Sequence, residues 1–142
     1  MDNYTFRGKR QDNEEWVYGF LADADCINDK STAYLYPVKV IASTISQQVG
    51  LTDMSGRDVY LGDIVKFTPR ILDEFGTKYI DAPFAVLAIV SQDEYGHSSL
   101  VPIKRNGEIN DNTAYHIENL IKSCVVGNIH DDKDFRLLAS HQ

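Results

Sequence analysis

His130, Asp131, Asp132 and Asp134 place three carboxylates beside an imidazole, a donor set able to hold a divalent cation. The competing reading is a helix start, where unpaired amides and the positive end of the backbone dipole attract acids. A second His or Glu one turn further on would complete a metal site, but Phe135, Leu137 and Leu138 stand there. Capping is the reading adopted, and no metal is expected.

The segment "GLTDMSGRDVYLGDIVKF", residues 50–67, brackets polar residues with Gly50, Gly56 and Gly62. A phosphate-gripping loop needs a Lys and then a Ser or Thr behind its last glycine. Here Arg57 and Asp58 follow Gly56, and Asp58 repels a phosphate. As a calcium loop counted from Asp53 and Ser55, the segment puts Arg57 at the third donor, Asp58 at the required glycine and Ile64 at the bidentate Glu. A turn is the better explanation. His97, His116, His130 and His141 lack metal-protease spacing, no serine sits in G-x-S-x-G, and Cys26 and Cys124 lack any sequence signature of activation. No catalytic residue, enzymatic activity or cofactor is therefore expected.

Cations offer a different chemistry. Arg7, Lys9 and Arg10 cluster near the start, and Lys104 and Arg105 top the Asn106-Gly107 turn. With Trp16, Tyr34 or Tyr36 they would make a groove in which bases stack on rings and phosphates meet cations. A net charge of −7 opposes polyanion binding. Nucleic-acid binding is thus the alternative reading, and a protein partner, with self-association through strand edges, the leading one.

The elements that must position these residues are strands. "WVYGFL", residues 16–21, alternates with period two, and "AYLYPVKVI", residues 33–41, is β-branched and aromatic. The polar stretch between them reads as the long tip of a hairpin. Pro37 cannot donate to a ladder, which places its strand at an edge. Ser55-Gly56 and Gly62-Asp63 mark two bends around Val59–Leu61, with "IVKF" alternating behind them. "APFAVLAIV", residues 82–90, is about half the length of a membrane helix and reads as a buried strand. A turn at "QDEYGH", a strand at "SSLVPIK", the Asn106-Gly107 hairpin signal, a helical turn near Tyr115 and a strand over 121–129 follow. The tail "DDKDFRLL" reads as a short helix. No secretory signal is expected at the N-terminus, which points to the cytoplasm.

"FRGK" at residues 6–9, "WVYG" at 16–19, the block over 44–67 and "VVGNIHDD" at 125–132 together resemble, in order, the signature of the YopX-type phage and prophage proteins. Gly50, Leu51, Asp53, Gly56, Tyr60, Gly62, Asp63, Ile64 and Val65 hold the shared central positions, and Gly127, Asn128 and Ile129 the terminal ones. Before that block, Ala42 to Gln47 replace the family's frequent Pro-Glu-Thr-Val-Gly-Gln run. The resemblance implies a phage-encoded, β-rich protein and supplies no catalytic residues.

The expected architecture is mainly β: an N-terminal β-hairpin subdomain over 1–48, then an SH3-like partly open barrel over 49–142 that ends in a short C-terminal helix. Gly50, Gly56, Tyr60, Gly62, Asp63, Gly127 and Asn128 are expected as structural positions. Arg7, Lys9, Arg10, Lys104 and Arg105 are the candidate nucleic-acid contacts.

Overall fold

A computed structural model describes residues 5–33, 36–104, 106–110 and 113–133. The protein is mainly β, 52% strand, in antiparallel sheets. It divides into two units, Met1–Gly50 with Asp58–Leu61 and Leu51–Arg57 with Gly62–Gln142. The chain therefore leaves the first unit, makes a hairpin in the second, returns for four residues, and leaves again.

The first unit carries a six-stranded sheet of β1 (Thr5–Lys9), β2 (Trp16–Asp23), β3 (Cys26–Asp29), β4 (Pro37–Lys39), β5 (Ser46–Thr52) and β6 (Asp58–Tyr60), in the order β4-β3-β2-β1-β5-β6. The last two residues of β5 belong to the second unit. Period-two alternation sorts the strands into faces. Phe6, Val17, Ile27, Val38, Val40 and Ile45 pack together on one side. A Cβ on Gly8 would press within 3.0 Å of Val40 and 3.1 Å of Ile27, and one on Gly19 would collide with the Asn28 carbonyl. Both glycines of "FRGK" and "WVYG" thus serve close packing. Pro37 lies in β4 at the sheet edge, where its missing N–H breaks no ladder.

The polar stretch expected as a hairpin tip contains β3. Its four residues offer only one strongly apolar side chain, Ile27, but that side chain is fully buried between Val17 and Val40. The tertiary core, and not local pattern, makes this strand.

In the second unit, β7 (Asp63–Phe67), β8 (Arg70–Leu72), β9 (Tyr79–Asp81), β10 (Val86–Gln92), β11 (Ser98–Ile103), β12 (Tyr115–His116) and β13 (Cys124–Asn128) form two sheets. Five strands stand in the order β12-β11-β10-β7-β13, and among the described residues β8 and β9 pair only with each other. Ile64, Leu87, Ile89 and Ile103 are its buried cluster, with Ile129 packed on them. A six-residue 3-10 helix, Ile117–Lys122, precedes β13 and buries Leu120.

The fold is mainly β as expected, in antiparallel sheets that are not closed into a barrel. β12 is only two residues long, and β13 carries a bulge between Val125 and Gly127. Neither offers an outer edge suited to continued pairing. Residues 58–61, expected with the barrel, cluster with the first unit. The expected C-terminal helix lies outside the described residues.

Candidate functional site

Asp53 begins a tight hairpin whose tip is Ser55-Gly56. Its Oδ1 accepts hydrogen bonds from the Ser55 amide at 3.0 Å, the Ser55 hydroxyl at 2.8 Å and the Arg57 amide at 2.9 Å. Its Oδ2 accepts the Val125 amide at 3.1 Å, and the Met54 amide donates to the Ser123 carbonyl at 2.8 Å. The hairpin therefore occupies hydrogen-bonding groups at the start of β13. Asp53 is 5% exposed. Burial pushes its carboxyl pKa up, but the Val125 and Arg57 amides and the Ser55 donors outweigh this and hold it below its ordinary value. A carboxylate with four donors already in place acts as a brace, not as a base or cation ligand.

The second and third bends meet at the start of β7. Gly62 has φ +89, its amide donates to the Val90 carbonyl at 2.8 Å, and its carbonyl accepts the Ile129 amide at 2.9 Å. The register then sets Asp63 opposite Asn128 and Ile64 opposite Gly127, so the central and terminal signature blocks are neighbours in one sheet. Asp63 is only 2% exposed. Asn128 organises the chain that follows: its Oδ1 accepts the His130 and Asp131 amides at 3.0 and 2.9 Å, and its Nδ2 donates to Asp131 at 2.9 Å. The Asp132 carboxylate accepts the Asn128 amide at 3.0 Å and lies so close over Gly127 that a Cβ there would collide with it. The cluster read as a helix cap is thus seen, at Asp131 and Asp132, closing an Asn-centred turn. Asp134 lies outside the described residues. Among the described residues, no group of three His, Cys, Asp or Glu is placed to hold a metal ion.

The candidate nucleic-acid contacts belong to different units. Arg7 is corrected from a surface cation to a buried one, 4% exposed. Its guanidinium lies 4.6 Å from the Trp16 ring centroid and 5.0 Å from that of Tyr60, and its Nε donates to the Ser46 hydroxyl at 3.1 Å. Two ring faces and a hydroxyl replace part of the water an arginine gives up on burial. Tyr60 is buried and packs on Tyr18, with centroids 5.6 Å apart. Lys9 lies 5.5 Å over Trp16, and Arg10 forms a forked pair with Asp12 at 2.9 and 3.0 Å. Lys104 belongs to the second unit, and Arg105 lies outside the described residues.

The Asp53 turn recurs at Asp73 and Asp93. In each, the Asp Oδ1 accepts amides two and four residues on, and a glycine three residues on has positive φ: Gly56, Gly76 and Gly96. "DMSG", "DEFG" and "DEYG" were the available signal. The latter two tips stand outward and lift Phe75 and Tyr95 to 77% exposure each. The β8–β9 hairpin also exposes Leu72, Tyr79 and Ile80, with Phe84 beyond it. At the start of β10 and the end of β11, an open groove of about 450 Å³ is lined by Phe84, Val86, Leu87, Ile103, Lys104 and Tyr115 among others. No helix of the described residues is long and apolar enough to cross a membrane.

No curated protein matches the chain. The sequence model described as YopX protein matches residues 5–135, which takes in every signature segment whose geometry is given above. The chain belongs to the YopX protein family.

Proposed function

We propose that this chain is a non-enzymatic protein-interaction module that associates with copies of itself, a phage or prophage accessory protein working in the cytoplasm of the host cell. The observation that carries the reading is the outward apolar surface of the hairpins in the second unit. Leu72, Phe75, Tyr79 and Ile80 sit on β8, β9 and their turn, a two-stranded sheet with no third strand among the described residues. An isolated two-stranded hairpin is marginally stable in water, and soluble monomers seldom group exposed large apolar side chains without a partner to cover them. The signature residues support the same reading from the other side. Asp53, Gly62, Gly127 and Asn128 are engaged in turns and close packing, which leaves recognition to the exposed hairpins.

Size-exclusion chromatography with light scattering tests it. A mass that rises above the 16.0 kDa of one chain with concentration is the expected result. A monomer throughout, up to millimolar protein, would overturn the reading.

A further inference from the structure

The β10–β11 hairpin has a knob at one end and a socket at the other. At the turn end, beside the Gln92–Ser98 pair, Tyr95 projects with Glu94 next to it. The backbone beneath is fixed: Asp93 Oδ1 accepts the Tyr95 and His97 amides at 2.9 and 2.8 Å, the Asp93 amide donates to the His97 carbonyl at 2.9 Å, and Gln92 Nε2 donates to the Gly96 carbonyl at 3.0 Å. A turn fixed this way loses little backbone freedom on docking. At the opposite end, beside the Leu87–Ile103 pair, lies the groove. Leu87 and Ile103 make its buried floor, Phe84 and Tyr115 stand in its walls, and Lys104 is the one charged lining residue among the described residues. Tyr115 is held by an edge-on contact with Phe67, with centroids 5.3 Å apart, and the Lys104 backbone is tied to Glu108 at 2.8 Å.

We infer that Tyr95 of one copy enters the groove of a second copy, with its Glu94 carboxylate meeting the Lys104 ammonium there. The occupant follows from the pairing of chemistry: an apolar floor takes an aromatic ring, and the Lys104 ammonium at the rim takes the acid beside that ring. This rests on the self-association proposed above and adds to the β8–β9 surface a contact made by the β10–β11 hairpin. Knob and socket are different surfaces at two ends of one rigid element, roughly 20 Å apart at the rise of a β-strand. The contact is therefore head-to-tail, and each added copy presents a fresh knob or socket, so growth continues to a ring or a filament.

Sedimentation velocity of the full chain and of Y95A and K104E tests this. Tyr95 and Lys104 are exposed, so neither change touches the core. Wild type forming species larger than dimers, with each variant alone weakened at least about tenfold, is expected. An equimolar mixture of Y95A, which keeps the socket, with K104E, which keeps the knob, is expected to regain one such contact per pair and so to sediment faster than either variant alone. If wild type self-associates and the two variants do so equally well, the knob-and-socket contact is wrong while self-association stands. If only K104E weakens assembly, something other than Tyr95 fills the groove and the inference falls. If wild type is a monomer, both fall together.

Discussion

The carboxylate of Asp53 accepts the amide of Val125 at 3.1 Å, across 72 residues of sequence. This bond joins the central signature block to the terminal one. Replacing Asp53 by Ala removes the acceptor for three amides and a hydroxyl at a buried position. A loss of about 2–4 kcal/mol of stability is expected in urea or guanidinium unfolding, since buried donors are left without partners. The same change at Asp73, an equivalent turn facing water, is expected to lower stability far less, since the amides it frees meet solvent. Equal losses at the two sites would show that the Val125 bond contributes nothing.

Acid should weaken the fold through these turns. The Thr77 amide and hydroxyl hold the Asp73 carboxyl below its ordinary value, the His97 amide does the same for Asp93, and Asp53 is depressed by its donors against the effect of burial. For a carboxyl whose folded pKa is depressed, the stabilisation is complete above the unfolded value, ~4, and is lost as pH falls through the folded one. Unfolding free energy is expected to hold steady from pH 7 to 5 and to decline below about pH 4. D53N should flatten part of that decline; an unchanged acid slope in D53N would remove Asp53 from the account.

Gly127 and Gly62 make different demands. Gly127→Ala pushes a methyl into the Asp132 carboxylate that accepts the Asn128 amide, and overpacking of this kind typically lowers stability by about 1–3 kcal/mol. Gly62→Ala forces a side chain into φ +89, with Ile129 at 3.3 Å, for a similar loss of about 1–3 kcal/mol. Removing the Asp132 side chain should relieve the first substitution and leave the second untouched. Thermal unfolding of G127A, D132A and G127A/D132A checks this, with additive losses as the contrary result.

Arg7 is predicted to matter for folding and not for polyanions. Arg7→Lys keeps the charge but gives up the flat guanidinium between Trp16 and Tyr60 and the bond to Ser46. A loss of about 1–3 kcal/mol is expected in unfolding measurements. Titration with single-stranded and duplex oligonucleotides at low salt is expected to show no difference between R7K and wild type; weaker binding by R7K would return Arg7 to the surface role its sequence position suggested.

Much of the sheet was legible because it obeys period two. "WVYGFL" became β2; "APFAVLAIV", legible instead as an unbroken apolar run, gave β10, and Pro37 fell on an edge. β3 was not legible, since "CIND" shows its one apolar residue only to a core assembled from Val17 and Val40. The hairpin over 70–81 had no clean alternation to announce it, and its apolar residues face water instead of a core. Of the candidate site, the bends at Gly56 and Gly62 could be read from Ser-Gly and Gly-Asp pairs. The partner of Asp53 could not, because Val125 contributes only a backbone amide, which no sequence pattern marks. Arg7 misled for the opposite reason: a cation near a basic cluster looks solvated until Tyr60, distant in sequence, is found against it.

Amide hydrogen exchange, followed at low and high protein concentration, tests the division of labour between braced signature segments and outward hairpins. Residues 70–81, 93–97 and 102–104 are expected to gain protection as concentration rises, while the amides of Arg57, Val125 and Asn128 stay protected to the same degree at both. Exchange that ignores concentration in those hairpins, or that changes instead at Arg57, Val125 and Asn128, would contradict it.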